Sequence, residues 1–320
     1  MGTIEVTVSE IGAAGARDAR IRLVAADGAP LPAFDAGAHI DVVLPHGLMR
    51  QYSLVNGPSD RDAYEICVRR AADSRGASTW IHDTLRVGQA LGISAPRCAF
   101  ALDEAARYVL IAGGIGVTPL ISMARALSAQ GKPFDFHFYG RSEDDVPYLD
   151  VLREGFASGR VFIHLGAQGQ RLRDALPDAL AVPDADALVY VCGPGGFMDH
   201  LKAQSIAAGW QPSQIRSEAF AASAHTGPTD ADGTFEVELK SSGKIFIVPA
   251  DRTIAAVLGD AQIEMSLSCE QGICGSCLTG VVSGRVDHRD EVQSVEEKDA
   301  HSHIAICCSR ALSPRIVLDL

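Results

Sequence analysis

The sequence predicts a multidomain protein in which an antiparallel β-barrel, an α/β Rossmann-like domain and a small α+β domain follow one another. Short alternating segments separated by turn residues occupy residues 1–102, which is typical of antiparallel strands. An apolar strand, a glycine-rich turn and a helix open residues 103–222. Short strands and one helix surround a cysteine cluster in residues 233–320. Residues 223–232 are polar and poor in apolar side chains, so we predict a linker there.

The composition is that of an ordinary globular protein. The 320 residues are 47% hydrophobic and 21% charged, and this length allows two or three domains. A net charge of -12 argues against a nucleic-acid partner, because phosphate contacts require a basic surface.

The expected location follows from what the chain lacks and from its cysteines. Its first residues do not form a secretory signal, and the apolar run 108–123 is interrupted by glycines and by Pro119, so we expect no membrane span. Four of the eight cysteines form a metal-like set, which favours a reducing compartment over a disulfide framework. We expect a cytoplasmic protein that works as a monomer.

Alternating apolar residues predict the strands of the first domain. These strands cover residues 3–8, 19–24, 39–44, 50–55 and 63–69, with a turn at 45–47. One short helix is predicted at 80–85. Strands of this length and spacing are expected to form an antiparallel barrel.

The segment Arg50-Gln51-Tyr52-Ser53 carries a cation, an aromatic ring and a hydroxyl on one predicted strand. Because side chains alternate along a strand, Arg50 and Tyr52 point to one face and Ser53 to the other. An arginine and a ring this close can hold a phosphate and flank a flat ring system. The alternative is a surface arginine beside a half-buried tyrosine.

A second candidate anion site lies where residues 74–79 lead into the predicted helix. Backbone N–H groups at a helix start, with Arg75 and Ser78 beside them, suit an anion. The alternative is that Ser78 or Thr79 caps the helix while Arg75 lies in solvent. The two interpretations are compatible, because one helix N-terminus can do both.

A glycine-rich turn follows the buried strand predicted at 108–112. Residues 113–119, Gly-Gly-Ile-Gly-Val-Thr-Pro, run into a helix predicted at 120–129, and this context is typical of a dinucleotide-phosphate site. The glycines permit close backbone approach, and Pro119 suits a first helical turn. The third glycine of G-x-G-x-x-G is absent, and no Gly-Lys-Ser/Thr follows, which excludes a nucleoside-triphosphate P-loop.

Further strands complete the α/β pattern at residues 134–139, 161–164 and 187–192. The first ends at Gly140-Arg141, where Arg141 either meets the ribose or phosphate of a cofactor or lies in solvent. The last ends at Cys192-Gly193-Pro194. Open α/β sheets bind ligands at the C-terminal ends of their strands, so Cys192 is a candidate to face a nicotinamide. The alternative is a packed core thiol.

The third domain contains Cys269, Cys274 and Cys277 in the spacing C-x4-C-x2-C, with Cys307 after 29 intervening residues. This spacing matches the plant-type ligand set of a [2Fe–2S] cluster. A zinc-stabilised binding module is the alternative from another class, but structural zinc sites use paired short spacings. Other predicted elements are strands at 234–239, 244–248 and 278–282 and a helix at 254–261.

Two neighbouring residues compete for the fourth ligand position. Cys307 gives 29 intervening residues and Cys308 gives 30, and we choose Cys307. Cys308 is then expected to be a packed thiol on the opposite face of a strand. The tetrad 287–290, Asp-His-Arg-Asp, is predicted to form structural ion pairs at a turn, because it lacks the paired Cys-x-His pattern of a Rieske centre.

These motifs, in this order, resemble those of one known family. Arg50-Gln51-Tyr52-Ser53 resembles the flavin motif of the ferredoxin–NADP reductase superfamily. Residues 113–119 and Cys192-Gly193-Pro194 resemble its pyridine-nucleotide motifs, and the cysteine set resembles plant-type ferredoxin. The order flavin, nucleotide, ferredoxin is that of the phthalate dioxygenase reductase family, which includes vanillate O-demethylase reductases. The resemblance covers essentially the full chain and implies an FMN-binding β-barrel, an NAD-binding domain and a β-grasp ferredoxin domain.

The resemblance also implies roles for individual residues. Those expected to contact FMN are Arg50, Tyr52, Ser53, Arg75, Gly76 and Ser78, with Val68 and Arg69 along the isoalloxazine edge. Those expected to contact the nucleotide are Gly113, Gly114, Gly116, Thr118, Pro119, Gly140, Arg141, Cys192, Gly193 and Pro194, of which Thr118 and Cys192 would line the hydride-transfer site. Phe220 is expected to shield the flavin until nicotinamide displaces it. The expected cluster ligands are Cys269, Cys274, Cys277 and Cys307.

The implied activity is that of an NADH-dependent oxidoreductase, the reductase component that supplies a Rieske-type aromatic oxygenase or O-demethylase. Nicotinamide gives up a hydride, which carries two electrons, whereas a [2Fe–2S] cluster accepts one, so a flavin must stand between them. The alternative within the same class is a stand-alone flavin or metal reductase with a vestigial cluster. NADH is expected rather than NADPH, and Arg141 is the residue that could serve a 2′-phosphate.

Overall fold

A computed structural model describes residues 3–45, 48–71, 76–220, 228–229 and 232–320. The chain divides into two compact units, Met1–Glu218 and Ala219–Leu320. The first unit contains a barrel core and an α/β core, and the second contains the core of a small α+β fold. Most of the linker predicted at 223–232 lies outside the described residues, and the predicted domain boundaries stay predictions.

The described part of the barrel is a 6-stranded antiparallel sheet in the order β4-β3-β6-β1-β2-β5. A bridge between Leu54 and Ile66 joins the two outer strands, and this contact closes the sheet into the predicted barrel. The strands are β1 (Ile4–Gly15), β2 (Asp18–Ala25), β3 (His39–Val43), β4 (Met49–Ser53), β5 (Tyr64–Arg69) and β6 (Ala90–Ile93).

Two features of the barrel differ from the prediction. Strand β6 was not expected, because a four-residue strand containing Gly92 shows no clear alternation; it is held by pairing between β1 and β3. Helix α1 (Ala77–Asp83) begins earlier than expected, and its N-cap is Gly76, with a φ of 103° and no side-chain cap. The interpretation that Ser78 or Thr79 caps this helix was therefore wrong, since both lie inside its first turn.

The α/β part is a parallel sheet in the order β11-β10-β7-β8-β9. Its strands are β7 (Arg107–Gly113), β8 (Phe134–Gly140), β9 (Gly159–Leu165), β10 (Ala187–Cys192) and β11 (Ile215–Glu218). Its helices are α2 (Val117–Ala129), α3 (Leu149–Glu154), α4 (Asp178–Ala181) and α5 (Gly195–Ala207). The chain moves outward from β7 to β9 and then returns to place β10 on the other side of β7. The C-terminal ends of β7 and β10 therefore flank the topological switch point, where open α/β sheets bind ligands.

The second unit has a mixed sheet in the order β13-β12-β18-β14-β16, in which β12 and β18 are parallel. Helix α6 packs against this sheet, and the Thr253 hydroxyl caps it by accepting from the Ala256 N–H at 3.1 Å. The main strands are β12 (Phe235–Leu239), β13 (Ile245–Val248), β14 (Leu278–Ser283), β16 (His303–Ala305) and β18 (Arg315–Leu318). A two-stranded ribbon and the helices complete it: β15 (Val286–Asp287), β17 (Arg310–Ala311), α6 (Ile254–Asp260) and α7 (Val295–Ala300).

In the described parts of the chain, no helix combines the length and the apolar character that crossing a bilayer requires.

Candidate functional site

Two motifs predicted separately, the glycine turn and Cys192-Gly193-Pro194, meet at the switch point of the parallel sheet. A Cβ on Gly116 would lie 2.3 Å from the carbonyl oxygen of Cys192, and a Cβ on Gly113 would lie 3.1 Å from Cδ of Pro194. Only glycine permits the first approach, because real Cβ atoms do not come so close to a backbone oxygen. The absent Cβ of Gly116 thus lets the end of β7 pack against the end of β10.

A groove of about 340 Å3 runs along these strand ends. Among the predicted nucleotide residues, those that line it are Gly113, Gly114, Gly140, Arg141 and Pro194. Its other cations are Arg17 and Arg171, which were not predicted, and Arg69, which was predicted for the flavin. Asp145 also lines the groove and pairs with Arg17 at 3.3 Å, which leaves an excess of positive charge. A groove with glycine backbone and excess arginine suits a pyrophosphate.

Arg69 forms an ion pair with a carboxylate of the barrel. Its guanidinium donates to both carboxylate oxygens of Asp18, at 2.8 and 2.9 Å, and the Asp18 side chain is 1% exposed. The same guanidinium lies against the glycine turn, 2.9 Å from where a Cβ of Gly114 would stand. Arg69 was predicted to line the isoalloxazine edge, but this contact points its charge toward the nucleotide groove.

The predicted hydride-transfer residues are buried at the start of α2 and at the end of β10. Thr118 is 2% exposed, and its hydroxyl donates to the Ile115 carbonyl at 3.1 Å. Cys192 is fully buried, and burial raises the pKa of its thiol, which therefore stays protonated. Neither residue is among those that line the groove, and neither carries a charge.

Glu218 is a functional candidate that the motifs did not single out. It ends β11 in register with Cys192, and its Oε2 is buried without a hydrogen-bond partner among the described residues. Burial raises the pKa of Glu218 to about 8, so the carboxyl group is mostly neutral at pH 7. The sequence shows a glutamate at a strand end, but only the pairing of β10 with β11 places it here.

The barrel strand β4 presents the predicted flavin motif. The Tyr52 ring packs against the barrel core, and burial raises its pKa to about 12, which keeps its hydroxyl protonated. The Arg50 guanidinium donates to the Met49 carbonyl at 2.6 Å and has no carboxylate partner among the described residues. Ser53 and Val68 are buried. A cation that no described acid neutralises, beside a protonated phenol, fits the phosphate and ring of a flavin.

The remaining predicted flavin contacts are only partly described. Gly76 and Ser78 lie at the start of α1, where the Ser78 hydroxyl accepts from the Ala71 N–H at 3.2 Å. Arg75 lies outside the described residues. Phe220 is 38% exposed and lies two residues beyond β11, so its predicted role over the flavin stays a prediction.

The four predicted cluster ligands are arranged as two pairs of thiols. Cys277 and Cys307 have their sulfurs 3.1 Å apart, and Cys269 and Cys274 are linked by a side-chain hydrogen bond. In each pair the hydrogen bond from one thiol stabilises the other as a thiolate. It lowers the pKa of Cys274 to about 5 and holds the pKa of Cys277 below its usual value. Thiolates are the form that binds iron.

This two-and-two arrangement bears on the kind of metal site. Among the described residues, no three histidine, cysteine or acidic side chains converge around a single metal ion. A structural zinc ion requires four ligands around one centre, whereas a [2Fe–2S] cluster has two irons. Two pairs of thiols are the donor set that a binuclear cluster requires.

Cys308 packs behind the cysteine loop. A Cβ on Gly272, which has a φ of 73°, would lie 2.5 Å from the Cys308 sulfur, and that sulfur lies 3.7 Å from the Ala305 carbonyl oxygen. Cys308 is 2% exposed, as a packed thiol should be. The prediction that it lies on the far face of a strand was wrong, because Cys307 and Cys308 occupy a turn after β16. A side-chain hydrogen bond links the Cys307 and Cys308 thiols, and it holds the pKa of Cys308 below its usual value.

The predicted ion pairs of the tetrad are present. Arg289 bridges Asp287 at 2.7 Å and Asp232 at 2.6 Å. Because Asp232 precedes β12, these bonds fasten the start of the second unit to the segment beside the cysteine loop. His288 stacks on His301, with ring centroids 5.5 Å apart.

Two family models match the chain. Residues 237–312 match the 2Fe-2S iron-sulfur cluster binding domain, and residues 110–203 match the oxidoreductase NAD-binding domain. These matches cover the cysteine pairs and most of the strands that form the groove.

Three known proteins are similar over essentially the whole chain. Vanillate O-demethylase oxidoreductase of Pseudomonas sp. (strain HR199 / DSM 7063) is 42% identical over 99% of this chain and 100% of its own length. Tetrachlorobenzoquinone reductase of Sphingobium chlorophenolicum is 40% identical over 100% of this chain and 99% of its own. The crystallised phthalate dioxygenase reductase is 34% identical, with a TM-score of 0.73, over 100% of this chain and 98% of its own.

These similarities confirm the predicted fold, which joins a ferredoxin–NADP reductase-like module to a C-terminal [2Fe–2S] ferredoxin domain, and the predicted cofactors FMN, NADH and a [2Fe–2S] cluster. They also confirm the predicted oxidoreductase activity. The chain belongs to the phthalate dioxygenase reductase family of electron-transfer oxidoreductases, which includes the vanillate O-demethylase oxidoreductases.

Proposed function

We propose that this protein is the reductase component of a two-component oxygenase system and that its partner is a Rieske-type aromatic oxygenase or O-demethylase. The observation that carries the proposal is the presence, in one chain, of a cationic nucleotide groove, a flavin strand and a paired set of four cysteines. Each relates to one stage of electron transfer from nicotinamide to an iron–sulfur cluster.

The chain's residues contribute binding and exclusion rather than acid–base chemistry. The groove arginines bind the pyrophosphate, while Thr118 and Cys192 bound the space for the nicotinamide ring with neutral groups. When bound, FMN accepts the hydride and passes its electrons on singly. A neutral, buried environment protects that transfer from water, and no general base is required.

The flavin contacts that we propose follow the strand geometry. Arg50 binds the phosphate, Tyr52 flanks the ring, and Ser53 and Val68 border it. Gly76, Ser78 and Arg75 surround the phosphate, and Phe220 covers the ring when nicotinamide is absent. Arg69 binds the nucleotide pyrophosphate instead of the flavin edge, since Asp18 holds its guanidinium against Gly114.

The cluster ligands that we propose are Cys269 and Cys274 on one iron and Cys277 and Cys307 on the other. The thiol pairing supports this assignment, because each pair has its sulfurs together. Cys308 is excluded from the set because its sulfur faces Gly272.

The experiment that tests the partner is reconstitution with a purified Rieske-type O-demethylase and its aromatic substrate. We expect NADH-dependent formation of the demethylated product at a rate that requires both proteins. A partner oxygenase that stays oxidised, while the reductase still oxidises NADH with an artificial acceptor, would contradict the proposed partner but leave the oxidoreductase activity intact.

A second candidate is direct reduction of a quinone. The similar protein named tetrachlorobenzoquinone reductase favours it, because it matches this chain over its full length. Flavin hydride chemistry alone could reduce a quinone, so a cluster-deficient Cys274→Ser variant separates the candidates. If the variant reduces the quinone with unchanged kcat/KM, the second candidate is favoured. If the variant no longer supports turnover of the oxygenase, the first candidate is favoured.

We also propose that the protein uses NADH rather than NADPH and works as a cytoplasmic monomer. The groove cations lie around the pyrophosphate position, and each predicted site is formed within one chain. The values of kcat/KM for the two nucleotides, light scattering for a mass of 33.8 kDa and cell fractionation are the corresponding measurements.

A further inference from the structure

A second cavity of the first unit, of about 580 Å3, lies against one face of β8 and β9. The opposite face of β8 is apolar and packed, with Phe134, Phe136 and Phe138 in the core. The cavity face carries different chemistry, because its side chains are Asp135, His137 and Tyr139 of β8, in register with Arg160, Phe162 and His164 of β9. Parallel strands are ordinarily apolar on both faces. Residues 169–179 form much of the outer wall.

Four of these side chains form one column of nearly parallel rings. Tyr139 stacks on His164 with 4.3 Å between centroids, whereas His164 and His137 lie side by side in nearly one plane, with 5.3 Å between centroids and 3.1 Å between Nε2 of His164 and Nδ1 of His137. Phe162 continues the column, 4.7 Å from His137, and the interplanar angles are 9° and 13°. All four rings border the same cavity. Ring edges are positive and attract the face of another aromatic ring.

One polar atom in this wall lacks a partner. His137 is 4% exposed, and its Nε2 makes no hydrogen bond within the described residues. Its Nδ1 lies 3.1 Å from Nε2 of His164, so the second ring nitrogen is the one without a partner among the described residues, in a side chain that borders the cavity. Burial lowers the pKa of His137 to about 4, and the ring is neutral at pH 7. A buried nitrogen without a hydrogen-bond partner is unfavourable, and a hydrogen-bonding ligand would relieve that cost.

The charges around the cavity cancel. Asp135 accepts from Arg107 at 2.9 Å and from Arg160 at 2.7 and 2.8 Å. The remaining lining charges are Arg171, Asp174 and Asp178. Three arginines thus face three carboxylates, so neither an anion nor a cation is favoured. The volume lies within the range of small-molecule sites, about 300–1,000 Å3.

We propose that this cavity binds an uncharged planar aromatic compound with a hydroxyl group, a phenol, whose face lies on the ring edges of the column and whose hydroxyl bonds to Nε2 of His137. The site is separate from the hydride-transfer end of the nucleotide groove, although the two cavities share Tyr139, Gln170 and Arg171. The proposal does not depend on the identity of the oxygenase partner.

The test is calorimetric titration of the full flavin- and cluster-loaded protein with 2-naphthol. We expect one site with a Kd below about 1 mM, and binding at least about tenfold weaker for decahydro-2-naphthol, which keeps the hydroxyl but is not planar. We expect a similar weakening for 2-naphthoate, which is planar but charged. Equal binding of the saturated compound, or no binding of 2-naphthol, would overturn the proposal.

Variants identify the site within the chain. His137→Phe keeps a ring in the column but removes the nitrogen, and we expect 2-naphthol binding to weaken about tenfold while NADH oxidation is kept. Phe162→Leu, at the more exposed end of the column, should also weaken binding, whereas His303→Phe, at an exposed position of β16, should not. Unchanged affinity in both column variants refutes the site. Complete loss of binding in saturating NAD+ would assign the cavity to the nucleotide groove instead.

Discussion

Glu218 stands beside Cys192, in register between the parallel strands β11 and β10, at the edge of the sheet where the glycine turn also ends. A carboxyl group and a thiol, both buried and both kept protonated by burial, therefore adjoin the expected nicotinamide position. This pairing supplies hydrogen-bonding groups without a charge that would oppose the change of charge on nicotinamide.

Glu218→Gln tests the raised pKa through stability. The pKa of Glu218 is about 8 in the folded chain and near 4.5 ordinarily, so between these values the unfolded chain releases a proton that the folded chain keeps. Wild-type stability therefore falls as pH rises through this window, by up to about 1.4 kcal/mol per pH unit. We expect the melting temperature of the Gln variant to exceed that of wild type increasingly from pH 5 to pH 8, and the difference to level off above pH 8.

The matched control for this measurement is Glu154→Gln, which changes an exposed carboxylate at the end of α3. Its melting temperature should track wild type across the same pH range. A Glu218→Gln difference that is flat with pH would show that this carboxyl ionises normally.

Arg69→Ala should affect both nucleotide binding and stability. It removes a groove cation, so KM for NADH should rise about tenfold with kcat kept, and it leaves the buried Asp18 unpaired at a cost of about 3–5 kcal/mol. Arg70→Ala is the control, because its pair with Asp83 is exposed and solvent screens it. Steady-state kinetics and urea unfolding measure the two effects. Equal effects of the two substitutions would contradict the groove role of Arg69.

Gly272→Ala should prevent cluster binding. The new Cβ would lie 2.5 Å from the Cys308 sulfur, and the φ of 73° adds strain of about 1–2 kcal/mol. Gly243→Ala has a similar φ, 64°, but meets nothing within 4 Å, so it measures the strain alone. Visible absorbance and iron content report the cluster. Adding Cys308→Ala to Gly272→Ala should restore part of it; no restoration would mean that the clash is not the cause.

Cys274→Ser should separate NADH oxidation at the flavin from one-electron transfer through the cluster. It removes a thiolate ligand, so cluster absorbance and reduction of cytochrome c, a one-electron acceptor, should be lost. NADH oxidation by dichlorophenolindophenol should stay within about twofold of wild type, because hydride transfer to the flavin needs no cluster. Cys98→Ser, in the barrel, is the control. Loss of both activities in a folded Cys274→Ser variant would refute the division of roles.

Arg50→Ala should weaken flavin binding. A charge-assisted hydrogen bond to a phosphate contributes about 1.5–3 kcal/mol, so flavin retention should fall at least about tenfold. The flavin-to-protein ratio after gel filtration is the measurement, with Arg22→Ala on β2 as the control. An unchanged ratio would remove Arg50 from the phosphate site.

Local sequence patterns were enough to predict most of the fold. Alternation predicted five of the barrel strands, and a strand, a glycine turn and a helix predicted the start of the parallel sheet, because hydrophobic period and glycine placement act within a few residues. Strand β6 was not predicted, because its stability comes from pairing with a strand on each side rather than from its own four residues. The cap of α1 was wrong for a related reason, since Ser78 bonds to Ala71 instead of the helix start.

The sequence by itself determined the cofactor chemistry, because cysteine spacing limits which thiols one loop can present to a cluster, and the motif order indicates the route of the electrons. Only the tertiary structure decided which groups stand together. It brought Arg17, Arg69 and Arg171 to one groove, set Glu218 beside Cys192, packed the Cys308 sulfur against Gly272 and left Nε2 of His137, in the wall of a cavity, without a partner among the described residues. These arrangements join residues far apart in the chain, and strand pairing and packing, which no local pattern encodes, establish them.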